Sequence, residues 1–226
     1  MTSPTPAAVL WDMDGTLVDT EPYWMAAEER LVASHGGTWT HEESLQLVGS
    51  GLEDAAKILQ NAGVSLDVDE IVQTLTSDVM VQLQTQGAPF RPGAQELLRS
   101  LREAGVKTAL VTMSMRRMAD IVVSLIGFEA FDIVIGGDDV ERPKPHPDPY
   151  LQACRALGVS PEDAVAIEDS PNGLRASLAA EVPSIGVPHI VSLDEVGADT
   201  LWPTLEGRTA EHVAAFHAEH RAGAAL

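Results

Sequence analysis

The stretch "LWDMDGTLVDTEPYW", residues 10–24, decides how this chain is read. An apolar run, residues 7–11, stops at Asp12; Asp14 stands two residues on, and Gly15 follows. A short apolar run closed by a turn signal reads as a buried strand, 8–12. A carboxylate at the end of such a strand is costly without a partner, and here there are two. Beyond them the period changes to that of a helix. Thr20 reads as its cap, Pro22 suits the first turn, and Gly36 with Gly37 ends it.

Helical patterns continue over about 42–48, 52–62 and 67–84, with no β-rich run between them, and the block closes at "GAPFRPG". The rhythm then becomes strict alternation. A helix over 94–104 precedes a strand in "VKTALVT"; a helix over 115–126 precedes one in "FDIVIG". A helix over 148–157, ended by Gly158, leads to "DAVAIED", and a helix over 172–180 leads to "VPSIGV". A last helix starts near 209. Such alternation predicts an α/β fold, a Rossmann-like parallel sheet covered by helices. The helical block is then a small α-helical cap inserted after the first strand. The expected division is core for 1–18, cap for 19–89 and the rest of the core for 90–226.

The 226 residues are 45% hydrophobic and 21% charged, enough apolar material for a sizeable core. Lys and Arg number 14 against 34 Asp and Glu, a formal charge of -20. That field disfavours nucleic acid and anionic membrane as partners. It also repels a phosphorylated substrate unless a cation or a local Lys or Arg reverses it. Cys154 is the one cysteine, so no intramolecular disulfide forms, and a reducing, cytoplasmic location is expected. Its helical spacing with Leu151 and Leu157 makes it a core residue. "MTSPTPAA" lacks the basic and apolar regions of a signal peptide. No apolar run reaches the roughly 18 residues of a membrane span. A monomer is expected.

Open parallel sheets bind ligands beyond the carboxyl ends of their strands. There this chain places Asp12 and Asp14 after the first strand, Thr112 after the second, and Glu168 with Asp169 after "AVAI". Lys144 lies in the loop after "FDIVIG". Two carboxylates 4 Å apart repel by about 4 kcal/mol at an effective dielectric near 20. One ammonium is too little for four of them. A divalent ion with oxygen ligands is the simple solution, and with no Cys or His placed to join, Mg²⁺ is favoured over zinc.

"DMDGTLVDTEP", "VTMS", "KPHPDPY" and "IEDSPNG", in this order and spacing, resemble the four signature motifs of the haloacid dehalogenase superfamily. The helical insert resembles that of its β-phosphoglucomutase-like subfamily of phosphatases and mutases. The resemblance covers nearly the whole chain. It implies that Asp12 is the nucleophile, forming an aspartyl phosphate, and that Asp14 is general acid and then general base. It implies that Thr112 and Lys144 bind the phosphoryl group and neutralise charge. Asp12, Glu168, Asp169 and the backbone carbonyl of Asp14 would hold Mg²⁺. Met113 and Ser114, in the same loop as Thr112, join the expected substrate site.

The cap is expected to choose the substrate. Mutases of this subfamily carry a histidine in the first cap helix and basic residues around the cap's glycine loop. Here the histidine position holds Trp24, and "LVGSGLEDAAK" puts Val48 and Leu52 where basic residues would stand, with Lys57 nearby. The expected function is therefore Mg²⁺-dependent hydrolysis of a small phosphorylated metabolite, sugar phosphates being the candidates, with phosphosugar mutase as the alternative. A catalytically silent binding protein on the same fold has less support, since every catalytic position is filled. Trp24, Tyr23 and Leu52 are candidate walls for the leaving group. Arg116 and Arg117 stand beside Thr112, either assisting an anionic substrate or exposed. His146 reads as a loop residue. His212, His217 and His220 read as a solvated helix face.

Overall fold

The computed structural model describes residues 5–223. Residues 1–4, part of the segment read as lacking a signal pattern, and 224–226, the end of the expected core segment, lie outside the described residues. Six parallel strands form one sheet in the order β3-β2-β1-β4-β5-β6. They are β1 (Ala8–Trp11), β2 (Lys107–Val111), β3 (Ile133–Ile135), β4 (Ala164–Glu168), β5 (Ser184–Gly186) and β6 (Thr200–Leu201). The strand order turns at β1, between β2 and β4, which is where doubly wound sheets open a crevice.

Both faces of the sheet are covered, and the strands show why they read as continuous apolar runs. Val9 and Trp11 of β1 and Val165 and Ile167 of β4 pack into one cluster. Ala8, Leu10, Ala164 and Ala166, on the opposite face, pack into another with Tyr150, Ala153 and Cys154. The second face is built of small side chains, so the helix α7 (Asp148–Leu157) lies close against it. The first face carries α5 (Ala94–Glu103) through Leu97, Leu98 and Leu101, and α6 (Arg116–Ser124) through Met118 and Val122. Helix α8 (Pro171–Ala179) starts immediately past β4, with Ser170 capping it by accepting from Gly173 N at 3.0 Å.

Between β1 and α5 run four helices: α1 (Glu21–Ser34), α2 (His41–Leu45), α3 (Leu52–Asn61) and α4 (Val68–Gln86). Capping boxes start α2 (Thr40 with Glu43) and α4 (Asp67 with Glu70). Ala27, Leu31, Leu59, Ile71, Leu75 and Val79 form their shared interior. The chain leaves and re-enters this block side by side: Val18 bridges Phe90, and Asp19 N donates to Pro89 O at 2.8 Å.

Two sequence expectations are corrected. Thr20 stands at the start of α1, but its side chain makes no capping bond; its hydroxyl donates to Asp14 instead. His217 is not on a solvated face. Helix α9 (Ala210–Gly223) buries Ala210, Val213, Ala214 and His217, one stripe at helical spacing, and His217 Nε2 meets Glu162 O at 2.9 Å. Strand β6 was not expected. Cys154 is buried, as its spacing predicts. Among the described residues no helix is long and apolar enough to cross a membrane.

Candidate active site

Asp12 follows β1, and its amide donates to Ile167 O at 3.0 Å, so the strand pairing itself fixes where the carboxylate points. Lys144 enters from the loop between β3 and α7 and is almost wholly buried. Its ammonium donates to Asp12 Oδ1 (2.7 Å), Glu168 Oε1 (2.6 Å) and Val111 O (2.8 Å), which uses all three protons. Glu168 Oε1 also accepts from Tyr150 OH. Asp169 Oδ1 accepts from Thr16 Oγ1 at 3.2 Å.

Asp12, Glu168 and Asp169 each offer an oxygen within 4.8 Å of the others, and all three are buried. One ammonium faces three carboxylates. Burial and the charge of Glu168 push Asp12 up to about 7, although Lys144 pulls the other way. Burial, then Asp12 and Glu168, holds Asp169 well above the usual carboxylate range. Burial disfavours the charged form of Lys144, but Asp12 and Glu168 outweigh it and raise its pKa. Such a set of hard oxygen donors, short of positive charge, fits a divalent cation of the Mg²⁺ type.

Glycine is required twice around this cluster. Gly15 has φ +84°, and a Cβ there would lie 2.0 Å from Asp169 Oδ2. At Gly173, in the first turn of α8, a Cβ would lie within 2.0 Å of the Glu168 carboxylate. The loop and the helix press backbone directly onto the two acids.

Asp14 is held differently. Its Oδ1 accepts from Thr20 Oγ1 and from Trp24 Nε1 (3.2 Å), both from the helical block. Its Oδ2 accepts from Ser114 Oγ (2.7 Å) and, at 3.4 Å, Thr112 Oγ1. Thr112 Oγ1 also accepts from Ser114 N at 3.0 Å. A cavity opens above these groups, between the strand ends and α1, α3, α4 and the loop that follows α2. Asp12, Asp14, Thr112, Met113, Ser114 and Asp169 form its floor, and Trp24 and Leu52 stand in its wall. Thr112, Met113, Ser114, Trp24 and Leu52 therefore line one space, while Lys144 lies beneath it against Asp12.

Other candidates lie elsewhere. Tyr23 turns away and donates to Gly87 O at 3.1 Å. Val48 is not among the lining residues, although Leu47 and Gly49 are. Lys57 is exposed and pairs with Asp54 at 3.0 Å. Arg116 pairs with Asp120 at 2.8 Å, and Arg117 reaches Gln73 O on α4. His146 is exposed in its loop. Sequence reasoning missed Tyr150, Thr16, Glu21 and Glu28. Tyr150 sits inside the "KPHPDPY" motif and Glu21 inside "DTEPYW", so the quoted motifs contain them; nothing local marks Glu28.

A family model for haloacid dehalogenase-like hydrolases matches residues 9–187. The chain belongs to the haloacid dehalogenase-like hydrolases. Among curated relatives, the phosphorylated carbohydrates phosphatase of Thermotoga maritima is 32% identical over 86% of this chain and 93% of its own. The bifunctional riboflavin kinase/FMN phosphatase of Arabidopsis thaliana is 33% identical over 81% of this chain. The chain spans about half the length of that relative, 49%. A crystal structure of CbbY from Rhodobacter sphaeroides in complex with phosphate superposes with a TM-score of 0.82 at 30% identity, covering 89% of this chain and 96% of that one. The four motifs of this haloacid dehalogenase-like hydrolase are thus the strand ends and loops that build the acidic floor.

Proposed function

We propose that this enzyme is a Mg²⁺-dependent phosphomonoesterase acting on a small phosphorylated metabolite through an aspartyl phosphate, with residues 19–89 as the cap domain over a core of 1–18 and 90–226. One observation carries the proposal: Asp12 lies buried between Lys144 and two further carboxylates, on the floor of a cavity whose acid–base candidate, Asp14, is held at its edge by four donors.

The Asp12 carboxylate attacks phosphorus while the bond to the leaving oxygen breaks, and Asp14 gives that oxygen its proton. Water, deprotonated by Asp14, then attacks the acyl phosphate; inorganic phosphate leaves and Asp12 is restored. Lys144 holds Oδ1 of Asp12, and Thr112 and Ser114 present hydroxyls at the floor, where charge develops on the phosphoryl oxygens. Asp12, Glu168, Asp169 and the backbone carbonyl of Asp14 would hold Mg²⁺. When bound, that ion neutralises phosphoryl charge.

Hydrolysis is favoured over mutase chemistry because, among the described residues, no Lys, Arg or His lines the cavity. Holding a bisphosphate there would require charge-assisted donors that the wall does not supply. The Thermotoga relative's name, a phosphorylated carbohydrates phosphatase, points to the same substrate class. The single buried cysteine and the net charge of -20 support a cytoplasmic protein that binds neither nucleic acid nor anionic membrane, and we read it as a monomer. The test is p-nitrophenyl phosphate turnover by EDTA-stripped protein. Activity should be absent and return with Mg²⁺; full turnover in metal-free buffer would contradict the proposal.

A further inference from the structure

The wall of the cavity opposite the catalytic floor carries its own charge pattern. Helix α1 turns Glu21, Trp24 and Glu28 toward the cavity, at spacings of three and seven that put them on one helical face. The Glu21 carboxyl has no hydrogen-bond partner among the described residues. Glu28 is buried deeper and accepts from Trp39 Nε1 at 3.2 Å. Between and around them the wall is apolar: Leu47, Leu52, Ala55 and Leu75. Burial, then the charges of Asp14 and Glu28, pushes Glu21 up to about 8; burial pushes Glu28 up to about 6 against its hydrogen bonds. Neither acid touches Lys144 or the three-carboxylate cluster by a hydrogen bond.

A leaving group that fills this cavity meets an apolar sleeve with two carboxyl groups and no cation. A second phosphate or a carboxylate there finds no Lys, Arg or His to offset its charge, and acids in the wall and floor around it. Hydroxyl or ammonium groups meet the Glu21 carboxyl, which no other side chain occupies, and Glu28, which already accepts from Trp39 and has lone pairs left to share. Groups built to take hydrogen bonds discriminate strongly, because the wrong substrate leaves them unpaired in a dry site.

We propose that Glu21 and Glu28 select the substrate, admitting phosphomonoesters whose leaving group carries hydrogen-bond donors and no second anion. This rests on the phosphatase reading and extends it to the part of the substrate that is not phosphate. Hydroxyl and ammonium donors share this chemistry, so the test separates them.

Four esters with the same phosphorylated six-carbon frame serve as probes: glucose 6-phosphate, sorbitol 6-phosphate, glucosamine 6-phosphate and 6-phosphogluconate. With Mg²⁺ present, kcat/KM for the best of the first three should exceed that for 6-phosphogluconate by about tenfold or more. In the Glu21→Gln/Glu28→Gln double variant that ratio should shrink severalfold. The ratio is internal to each protein, so a partly misfolded sample does not mimic the result. If glucosamine 6-phosphate leads in the wild type and loses its lead in the variant, the donor is an ammonium; if the sugar or hexitol ester leads, it is a hydroxyl. A protein that hydrolyses p-nitrophenyl phosphate yet accepts 6-phosphogluconate as well as the others, or whose ratio is unmoved by both substitutions, overturns this proposal alone. Hydrolysis of none of the five esters overturns the phosphatase reading beneath it.

Discussion

Trp24 Nε1 donates to Asp14 Oδ1 at 3.2 Å, joining the first helix of the inserted block to the carboxylate expected to move protons. With Thr20 on the same oxygen, the helix that walls the cavity also sets the position of the acid. Hydrogen bonds to a charged group contribute about 1.5–3 kcal/mol each. Trp24→Phe keeps the ring and removes the donor. With Thr20, Ser114 and Thr112 still in place, kcat for an alkyl phosphate should fall by about tenfold, the lower end of that range. The loss should be smaller for p-nitrophenyl phosphate, whose leaving group needs little protonation. Equal losses on both esters would show that Trp24 does not act through Asp14.

Lys144→Met leaves Asp12 and Glu168 without their ammonium. Removing one partner of a buried ion pair costs about 3–5 kcal/mol, because the other charge stays behind. At 2–4 °C per kcal/mol for a chain of this size, Tm should fall by roughly 10 °C in metal-free buffer at pH 8. Mg²⁺ should recover part of the loss by supplying charge to the same acids. Calorimetry with and without the ion checks this; an unchanged Tm would mean that Lys144 does not neutralise the cluster.

Gly173→Ala places a methyl group on the Glu168 carboxylate, 1.9 Å from Oε2 and 2.0 Å from Oε1. Glu168 or α8 must then shift by roughly 1 Å or more to restore an ordinary contact. A displacement of that size at a reacting centre can cost about 10²-fold in rate. The variant should fold, since α8 tolerates alanine elsewhere along it, and should lose turnover by that order. Mg²⁺ affinity measured by the ion's effect on Tm should fall in parallel. Wild-type turnover in a folded Gly173→Ala protein would contradict the geometry.

Much of this was legible in the sequence. The sheet is buried on both faces, so each long strand appears as an unbroken apolar run, and the carboxylates stand out where those runs stop. The two-residue β6 was not legible: Thr200 and Leu201 form no run, and the strand exists because Ile185 and Gly186 offer it an open edge. Partnerships across the fold were also hidden. That Thr20 serves Asp14 and not its own helix, that Tyr150 braces Glu168, and that His217 is interior all depend on which element packs against which. Glu28 looks like any surface acid of an amphipathic helix until the cavity is seen beside it.

Glu28 also gives a stability prediction. Burial raises its pKa from the ordinary 4.5 to about 6. The folded state then holds the proton more tightly than the unfolded chain does. The associated stability is complete below pH 4.5, declines as pH rises through that value, and is lost once pH passes about 6. A shift of that size corresponds to about 2 kcal/mol. Glu28→Gln cannot titrate, so its urea midpoint should fall less than that of the wild type between pH 4.5 and 6.5. Parallel pH profiles for the two proteins would show that Glu28 is not desolvated.

The most direct test of the account is to locate the phosphoryl group during turnover. Mg²⁺-loaded protein, mixed with a phosphomonoester, is quenched within one turnover and reduced with borohydride, which converts an acyl phosphate to an alcohol. Peptide mass spectrometry then reads which carboxylate was modified. The account predicts modification at Asp12 alone, absent without Mg²⁺ and absent in Asp12→Asn. Phosphate release with no trapped acyl phosphate at Asp12, or with the label on another carboxylate, would contradict it.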